Sequence, residues 1–137
     1  MASRHIRTTR LAAAAAAGAA ALAAVPLVGA SAATGRVRVT AGKPSEFRFE
    51  LSSRVVRTGV VVFAIRNDGA ITHDFKVCSL PRRNSSLDTC NGKGSRKLTH
   101  GQSTTLKVTL KKKGTYEYLC TLPGHAAAGM KGLLTVK

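Results

Sequence analysis

Beyond residue 34, the chain alternates apolar and polar residues in short runs. These runs occupy residues 37–41, 46–51, 59–65, 71–77, 105–110, 115–120 and 132–136. Successive side chains of a β-strand point to opposite faces, so each run predicts a strand with one buried face. Gly, Pro and Asn separate the runs, and no segment among them sustains a helical period. The pattern predicts an all-β, single-domain Greek-key sandwich of about seven to eight strands.

The N-terminal part of the chain has a different composition. Three arginines precede an uncharged, Ala-rich run at residues 11–30, and the small residues Ala-Ser-Ala follow at its end. This order predicts a secretory signal peptide at residues 1–32, removed from a domain at residues 33–137. An uncleaved anchor is the alternative, because the run is long enough to span a bilayer, although it is weakly apolar. We therefore expect an extracytoplasmic protein, either periplasmic, at the cell surface or secreted.

Cationic residues strongly outnumber anionic ones. The chain has 22 Lys and Arg against 6 Asp and Glu, and its formal net charge is +16. Outside the cytoplasm such a charge favours an anionic membrane, an anionic cell wall or the acidic docking face of a partner protein, and salt should weaken each association. Nucleic acid is excluded as a partner, because the predicted export and the lack of a recognised nucleic-acid motif argue against it.

Cys78 and Cys90 bracket part of a long polar loop at residues 79–101. In an oxidising compartment, two such cysteines predict a disulfide that pins the loop. A reduced pair that forms a second metal or redox site is the alternative. Pairing these two leaves Cys120 as the free cysteine.

Cys120 begins a loop with three soft metal ligands. Cys120, His125 and Met130 follow a predicted strand, with four residues between neighbours. A thiolate, an imidazole and a thioether suit a trigonal copper site with a weak axial Met, provided that a second His joins them. His73, near the start of a predicted strand, is the best candidate, and its competitor His100 lies in a predicted turn.

The C-terminal loop carries the motif Tyr-x-Tyr-x-Cys120-x4-His125-x4-Met130, with His73 upstream. This pattern resembles that of the cupredoxins, the small type 1 blue copper proteins of the plastocyanin, azurin and auracyanin type. The resemblance implies a cupredoxin-like sandwich over about residues 37–137 and one type 1 copper ion as cofactor. It also implies that His73, Cys120 and His125 are the equatorial ligands and that Met130 is the axial one.

Two residues beside the expected ligands bear on the resemblance. Thr121 matches the small hydroxyl residue that usually follows the cysteine in this family. Asp74 departs from the family, which usually has Asn at this position to tie the two ligand loops together. A carboxylate here is expected to stabilise Cu(II) and lower the reduction potential.

Tyr116 matches the tyrosine corner of Greek-key sandwiches, a structural role.

The resemblance implies a one-electron carrier between redox partner proteins, and not an enzyme, since the His-x-His pairs of multicopper oxidases are missing from the sequence. Ala126, Ala127 and Ala128 follow His125, so we expect its ring edge to reach the surface within an uncharged electron port. Cations around this port would orient acidic partners. An extracytoplasmic copper carrier or scavenger is the alternative function, and the spacing leaves open whether the site is blue or green.

Overall fold

A computed structural model describes residues 35–79 and 88–137. Nine strands are present in this part of the chain: β1 Gly35–Ala41, β2 Phe49–Leu51, β3 Val55–Val56, β4 Gly59–Asn67, β5 Lys76–Cys78, β6 Gly92–Gly94, β7 Ser103–Leu110, β8 Gly114–Leu119 and β9 Lys131–Val136. They form one sheet of order β2-β1-β4-β7 and a second of order β3-β9-β8-β5-β6. The predicted all-β sandwich is confirmed. The signal peptide predicted at residues 1–32 lies outside the described residues.

Each sheet combines antiparallel and parallel strand pairs. β1 pairs antiparallel with β2 and parallel with β4, and β4 pairs antiparallel with β7. In the second sheet, β8 pairs antiparallel with β9 and β5, and β3 joins β9 in parallel. No helix in residues 35–79 and 88–137 is long and apolar enough to cross a membrane.

The inner faces of both sheets meet in one hydrophobic core. Its centre is Phe75, whose ring centroid lies 5.2 Å from that of Phe49, 5.3 Å from that of Phe63 and 5.4 Å from that of Tyr118. Offset and edge-to-face aromatic contacts of this kind add to the stabilisation from apolar burial. Cys120 and Met130 belong to the same buried cluster. The candidate ligands therefore lie at one end of the aromatic core.

The strand predicted at residues 71–77 is largely wrong, because regular pairing begins only at Lys76. His73 instead forms an isolated bridge with Leu98, in which each backbone N–H donates to the other residue's carbonyl, at 3.0 and 2.8 Å. The strand predicted at residues 46–51 begins later, at Phe49, because the chain before it turns and the Gly42 N–H donates to the Arg48 carbonyl at 3.0 Å.

Two short strands, β3 and β6, were not predicted. β3 has only two residues, too few for a period to show, and the β6 sequence Gly-Lys-Gly is exposed throughout. β6 exists because β5 pairs with it, with Cys78 opposite Gly92. The predicted Cys78–Cys90 disulfide is confirmed, with a Cα–Cα distance of 5.6 Å, and it joins the end of β5 to the segment before β6.

The tyrosine-corner role predicted for Tyr116 is also confirmed, since its buried side chain donates a hydrogen bond to the Lys112 carbonyl at 2.8 Å. We expect Tyr116→Phe to lower the free energy of unfolding by about 1 kcal/mol, because the carbonyl loses its donor in a partly buried position. Denaturant unfolding of the metal-free protein measures the loss. The site lies at the other end of β8, so copper binding should be unchanged, and equal stability of the two proteins would contradict this role.

Candidate metal centre

Three side-chain donors converge at the end of the aromatic core. The Nδ1 atoms of His73 and His125 are 3.2 Å apart, and the Cys120 Sγ lies 3.4 Å from the His125 Nδ1. The donor atoms of all three residues lie within 4.8 Å of one another. His73 and Cys120 are fully buried, whereas His125 is partly exposed. The competitor His100 is not part of this group, and its Nδ1 lies 2.8 Å from the Gly69 carbonyl oxygen.

Pairing of β8 with β9 fixes both ends of the ligand loop. Cys120 directly follows β8 and Met130 directly precedes β9. The Cys120 N–H donates to the Met130 carbonyl at 3.0 Å, and the Met130 N–H donates to the His125 carbonyl at 2.9 Å. Met130 is fully buried, in the same core cluster as Cys120. The thioether is thereby held beside the converging donors.

Gly129 permits the tight return of this loop. Its φ of 105° is a conformation that side chains disfavour, and a Cβ there would collide with the Arg48 guanidinium. That guanidinium donates to the Ala128 carbonyl at 3.1 Å. The β1–β2 connection therefore closes over one side of the ligand loop.

Asn67 shapes the loop that precedes His73. Its fully buried side-chain amide donates to the carbonyls of Ile71 and Leu98 at 2.8 and 2.7 Å, and its Oδ1 accepts from the Gly69 N–H at 2.9 Å. These side-chain bonds replace the ladder of a regular strand. The structural role of this amide was not predicted from the sequence.

Glu46 sets the tautomer of His73. Its carboxylate accepts the N–H groups of Ala70 and Ile71, each at 3.0 Å, and lies 2.8 Å from the His73 Nε2. The two backbone donors are the main cause that lowers the pKa of Glu46 to about 2. An ionised carboxylate only accepts, so the His73 Nε2 carries the proton and its Nδ1 lone pair faces the other donors. Nothing in the sequence around Glu46 indicated this contact.

Asp74 ties the two ligand loops together. Its Oδ1 accepts the Thr121 N–H at 2.6 Å, and its Oδ2 accepts the Thr121 hydroxyl. The carboxylate therefore performs the tie that the family resemblance assigns to Asn. Both oxygens face donors of Thr121, so the negative charge stays beside the loop that begins at Cys120.

Burial governs the ionisation of Cys120 and His125. It raises the pKa of the Cys120 thiol to about 12, against the backbone N–H groups of Asp74 and Leu122, which lower it. Burial also lowers the pKa of His125, and the neighbouring His73 adds to this shift. The metal-free site is thus a neutral thiol beside a neutral imidazole, and Cys120 would have to lose its proton to hold a metal ion.

The surface beside His125 differs in one residue from the predicted port. Ala127 and Ala128 are exposed, as expected, but Ala126 is fully buried. It packs against Leu119, Cys78 and Cys90, so it is not part of the surface patch. The Phe47 ring meets the His125 ring edge-on, with centroids 5.1 Å apart.

The donor set fits copper. A thiol sulfur and two imidazole nitrogens, with a thioether alongside, are soft and borderline ligands that suit copper, whereas Mg²⁺ and Ca²⁺ prefer oxygen ligands. The carboxylates of Glu46 and Asp74 are occupied by His73 and by Thr121. They therefore orient ligands and leave the centre to sulfur and nitrogen.

Comparison with known proteins places the chain in a family. The family model of copper binding proteins of the plastocyanin/azurin family matches residues 35–137. Auracyanin-B of Chloroflexus aurantiacus is 51% identical over 39 residues, which are 28% of this chain and 17% of that protein. The match thus spans less than a fifth of that relative.

Solved structures show the same fold. Na-dithionite reduced auracyanin from Roseiflexus castenholzii has a TM-score of 0.60 at 22% identity, over 77% of this chain and 98% of that chain. Rusticyanin from Thiobacillus ferrooxidans has a TM-score of 0.61 at 23% identity, over 76% and 78% of the two chains. Because the family model spans the whole described sandwich, the chain belongs to the plastocyanin/azurin family of copper-binding proteins, the cupredoxins.

Proposed function

We propose that the protein is a one-electron carrier, rather than an enzyme, whose copper ion is held by His73, Cys120, His125 and Met130. The observation that carries this proposal is the convergence of two imidazole nitrogens and one thiol sulfur within 4.8 Å, beside a buried thioether. Bound copper supplies one-electron Cu(I)/Cu(II) chemistry in such a ligand set.

The surroundings of the ligands favour this role because they hold each donor in place. His73 is fixed by Glu46 and by the bridge to Leu98, and Cys120 by the hydrogen bond to the Met130 carbonyl. Side chains locked by packing and hydrogen bonds move little when charge changes beside them. Small rearrangement lowers the barrier to outer-sphere electron transfer.

The electron port is the surface formed by His125, Ala127 and Ala128. Of the four proposed ligands, His125 is partly exposed and the other three are buried. A small uncharged patch lets a partner approach the imidazole edge closely. Arg48, at the Ala128 carbonyl, places a cation at the rim of the port. A redox partner with an acidic docking face would complement it.

Charge at the other end of the sandwich supports a location near anionic surfaces. Exposed cations cluster where β3, β7, β8 and the C-terminus meet; they are Arg54, Arg57, Lys111, Lys112, Lys113 and Lys137. We place the domain of residues 33–137 outside the cytoplasm after removal of residues 1–32. There, this cationic end would associate weakly with an anionic membrane or cell wall, with its copper end free to meet partners.

Electron self-exchange of the copper-loaded protein tests the function and the port together. We expect Ala127→Asp to slow self-exchange about tenfold or more, because a carboxylate in the apolar patch must lose water each time two ports meet. Line broadening in NMR spectra of mixed oxidised and reduced protein measures the rate, at high salt to screen the net charge.

The matched control is Ala64→Asp, the same substitution in the middle of β4, which should leave the rate unchanged. Equal slowing by both substitutions would place the port elsewhere. Stoichiometric copper without measurable exchange in the unaltered protein would reject the electron carrier and favour the copper carrier.

Asp74 should lower the reduction potential, since its charge lies against the loop of Cys120. We expect Asp74→Asn to raise the potential by roughly 50 mV, equivalent to about 1 kcal/mol for one electron. The Asn side chain can still bond to Thr121, so the loops stay tied. Asp68→Asn removes the same charge from a surface pair with Arg66 and should have a smaller effect. Voltammetry measures both, and an unchanged or lower potential in Asp74→Asn contradicts the expectation.

A further inference from the structure

Asp88 connects the disulfide segment to the ligand loop. Its Oδ2 accepts the Gly124 N–H at 2.6 Å, and its Oδ1 accepts the Ala126 N–H at 2.8 Å. These two N–H groups belong to the residues on either side of His125. One carboxylate therefore holds the backbone both before and after this ligand. Hydrogen bonds to an ionised acceptor are stronger than those between neutral groups.

The disulfide places Asp88 at this position. Cys90, two residues further along, is joined to Cys78 at the end of β5, and the Ser79 N–H donates to the Asn91 carbonyl at 2.6 Å. The chain just after Asp88 is therefore attached to the sheet that carries Cys120.

The disulfide also touches the ligand loop directly. Cys78 and Cys90 pack with Leu119 and Ala126 in a small buried cluster on the far side of β8 from the main core. Ala126 is thus held twice, by its side chain against the disulfide and by its N–H on Asp88. This double hold explains why Ala126 is buried and absent from the port.

His125 needs such support more than the other ligands do. His73, Cys120 and Met130 are fully buried; the core encloses Cys120 and Met130, and Glu46 and the bridge to Leu98 hold His73. His125 is partly exposed, so the position of its ring depends on the backbone that carries it. Its N–H donates to the Leu122 carbonyl at 3.1 Å, and its carbonyl accepts from the Met130 N–H. These local bonds define only a turn.

We propose that Asp88 is a positioning residue for His125, and that the Cys78–Cys90 disulfide acts on the copper site both through Asp88 and through its packing against Ala126. The proposal rests on the proposed function only in taking His125 as a copper ligand. It couples copper retention to a disulfide whose sulfur atoms are not among the proposed ligands. Loss of either the carboxylate or the disulfide frees the backbone around His125 and lets the metal leave faster.

Transfer of copper from the Cu(II)-loaded protein to excess EDTA tests the coupling. We expect Asp88→Asn to release copper about tenfold faster than the unaltered protein, the usual scale for groups that orient a ligand. Asn offers one amide oxygen in place of two carboxylate oxygens, so it keeps at most one of the two bonds well. Asp68→Asn, which removes an equal charge from a surface pair, should release copper at the original rate.

A double-mutant cycle tests the route through the disulfide. We expect Cys78→Ala/Cys90→Ala to speed release at least as much as Asp88→Asn does, because it also removes the packing against Ala126, and the triple variant to be no faster than the cysteine pair alone. Additive effects would overturn the route, because they would mean that Asp88 acts without the disulfide. Should the cysteine variants fail to fold, the comparison of Asp88→Asn with Asp68→Asn still decides the role of Asp88.

Amide hydrogen exchange in the metal-free protein separates this proposal from the copper function. The Gly124 and Ala126 amides should be protected, and Asp88→Asn should expose both while the amides of β8 stay protected. Unchanged exchange and unchanged copper release in Asp88→Asn would overturn the proposal. Protected amides in a protein that binds no copper would instead overturn the function and leave the Asp88 contact standing.

Discussion

Burial of the Cys120 sulfur at the end of the aromatic core is the constraint on which the site depends. The thiol follows β8 directly and lies in the same buried cluster as Phe75 and Tyr118. Burial disfavours its charged form, so a thiolate is stable there only with a positive charge beside it. Two imidazoles and a thioether beside it can complete such a centre. The Cys120 sulfur therefore belongs both to the hydrophobic core and to the proposed copper site.

Local carboxylates do the fine positioning in a chain whose overall charge is strongly positive. Glu46 orients His73, Asp74 joins the His73 loop to Thr121, and Asp88 holds the backbone around His125. Three of the 6 acidic residues thus act at the site. Most cations in the described part of the chain are exposed, and salt screens their attraction at longer range. Carboxylates thus position the proposed ligands, whereas most of the cations contribute long-range attraction.

The sequence predicted those parts of the site that lie close together along the chain. Cys120, His125 and Met130 share one loop between two strands, so their spacing alone indicated the donor set. His73 was singled out because it lies near the start of a predicted strand. That strand was largely wrong, since the side chains of Asn67 and Glu46 bond the backbone there in place of a neighbouring strand.

Contacts between distant segments were not predictable in the same way. The roles of Glu46 and Asp88 depend on how loops far apart in sequence meet, and isolated acidic residues carry no pattern. Ala126 looked like a surface residue because its neighbours are small, and only the contact with the disulfide buries it. The cysteine pair itself was predictable, since a count of three left one for the metal, but its reach to the ligand loop was not.

The visible and EPR spectra of the Cu(II)-loaded protein, recorded beside those of Cys120→Ala, test the central claim that copper binds the buried Cys120 thiolate. The account predicts an intense visible charge-transfer band and a narrow copper hyperfine splitting, both bleached by ascorbate and both lost in Cys120→Ala. A weak d–d spectrum that Cys120→Ala leaves unchanged would contradict it.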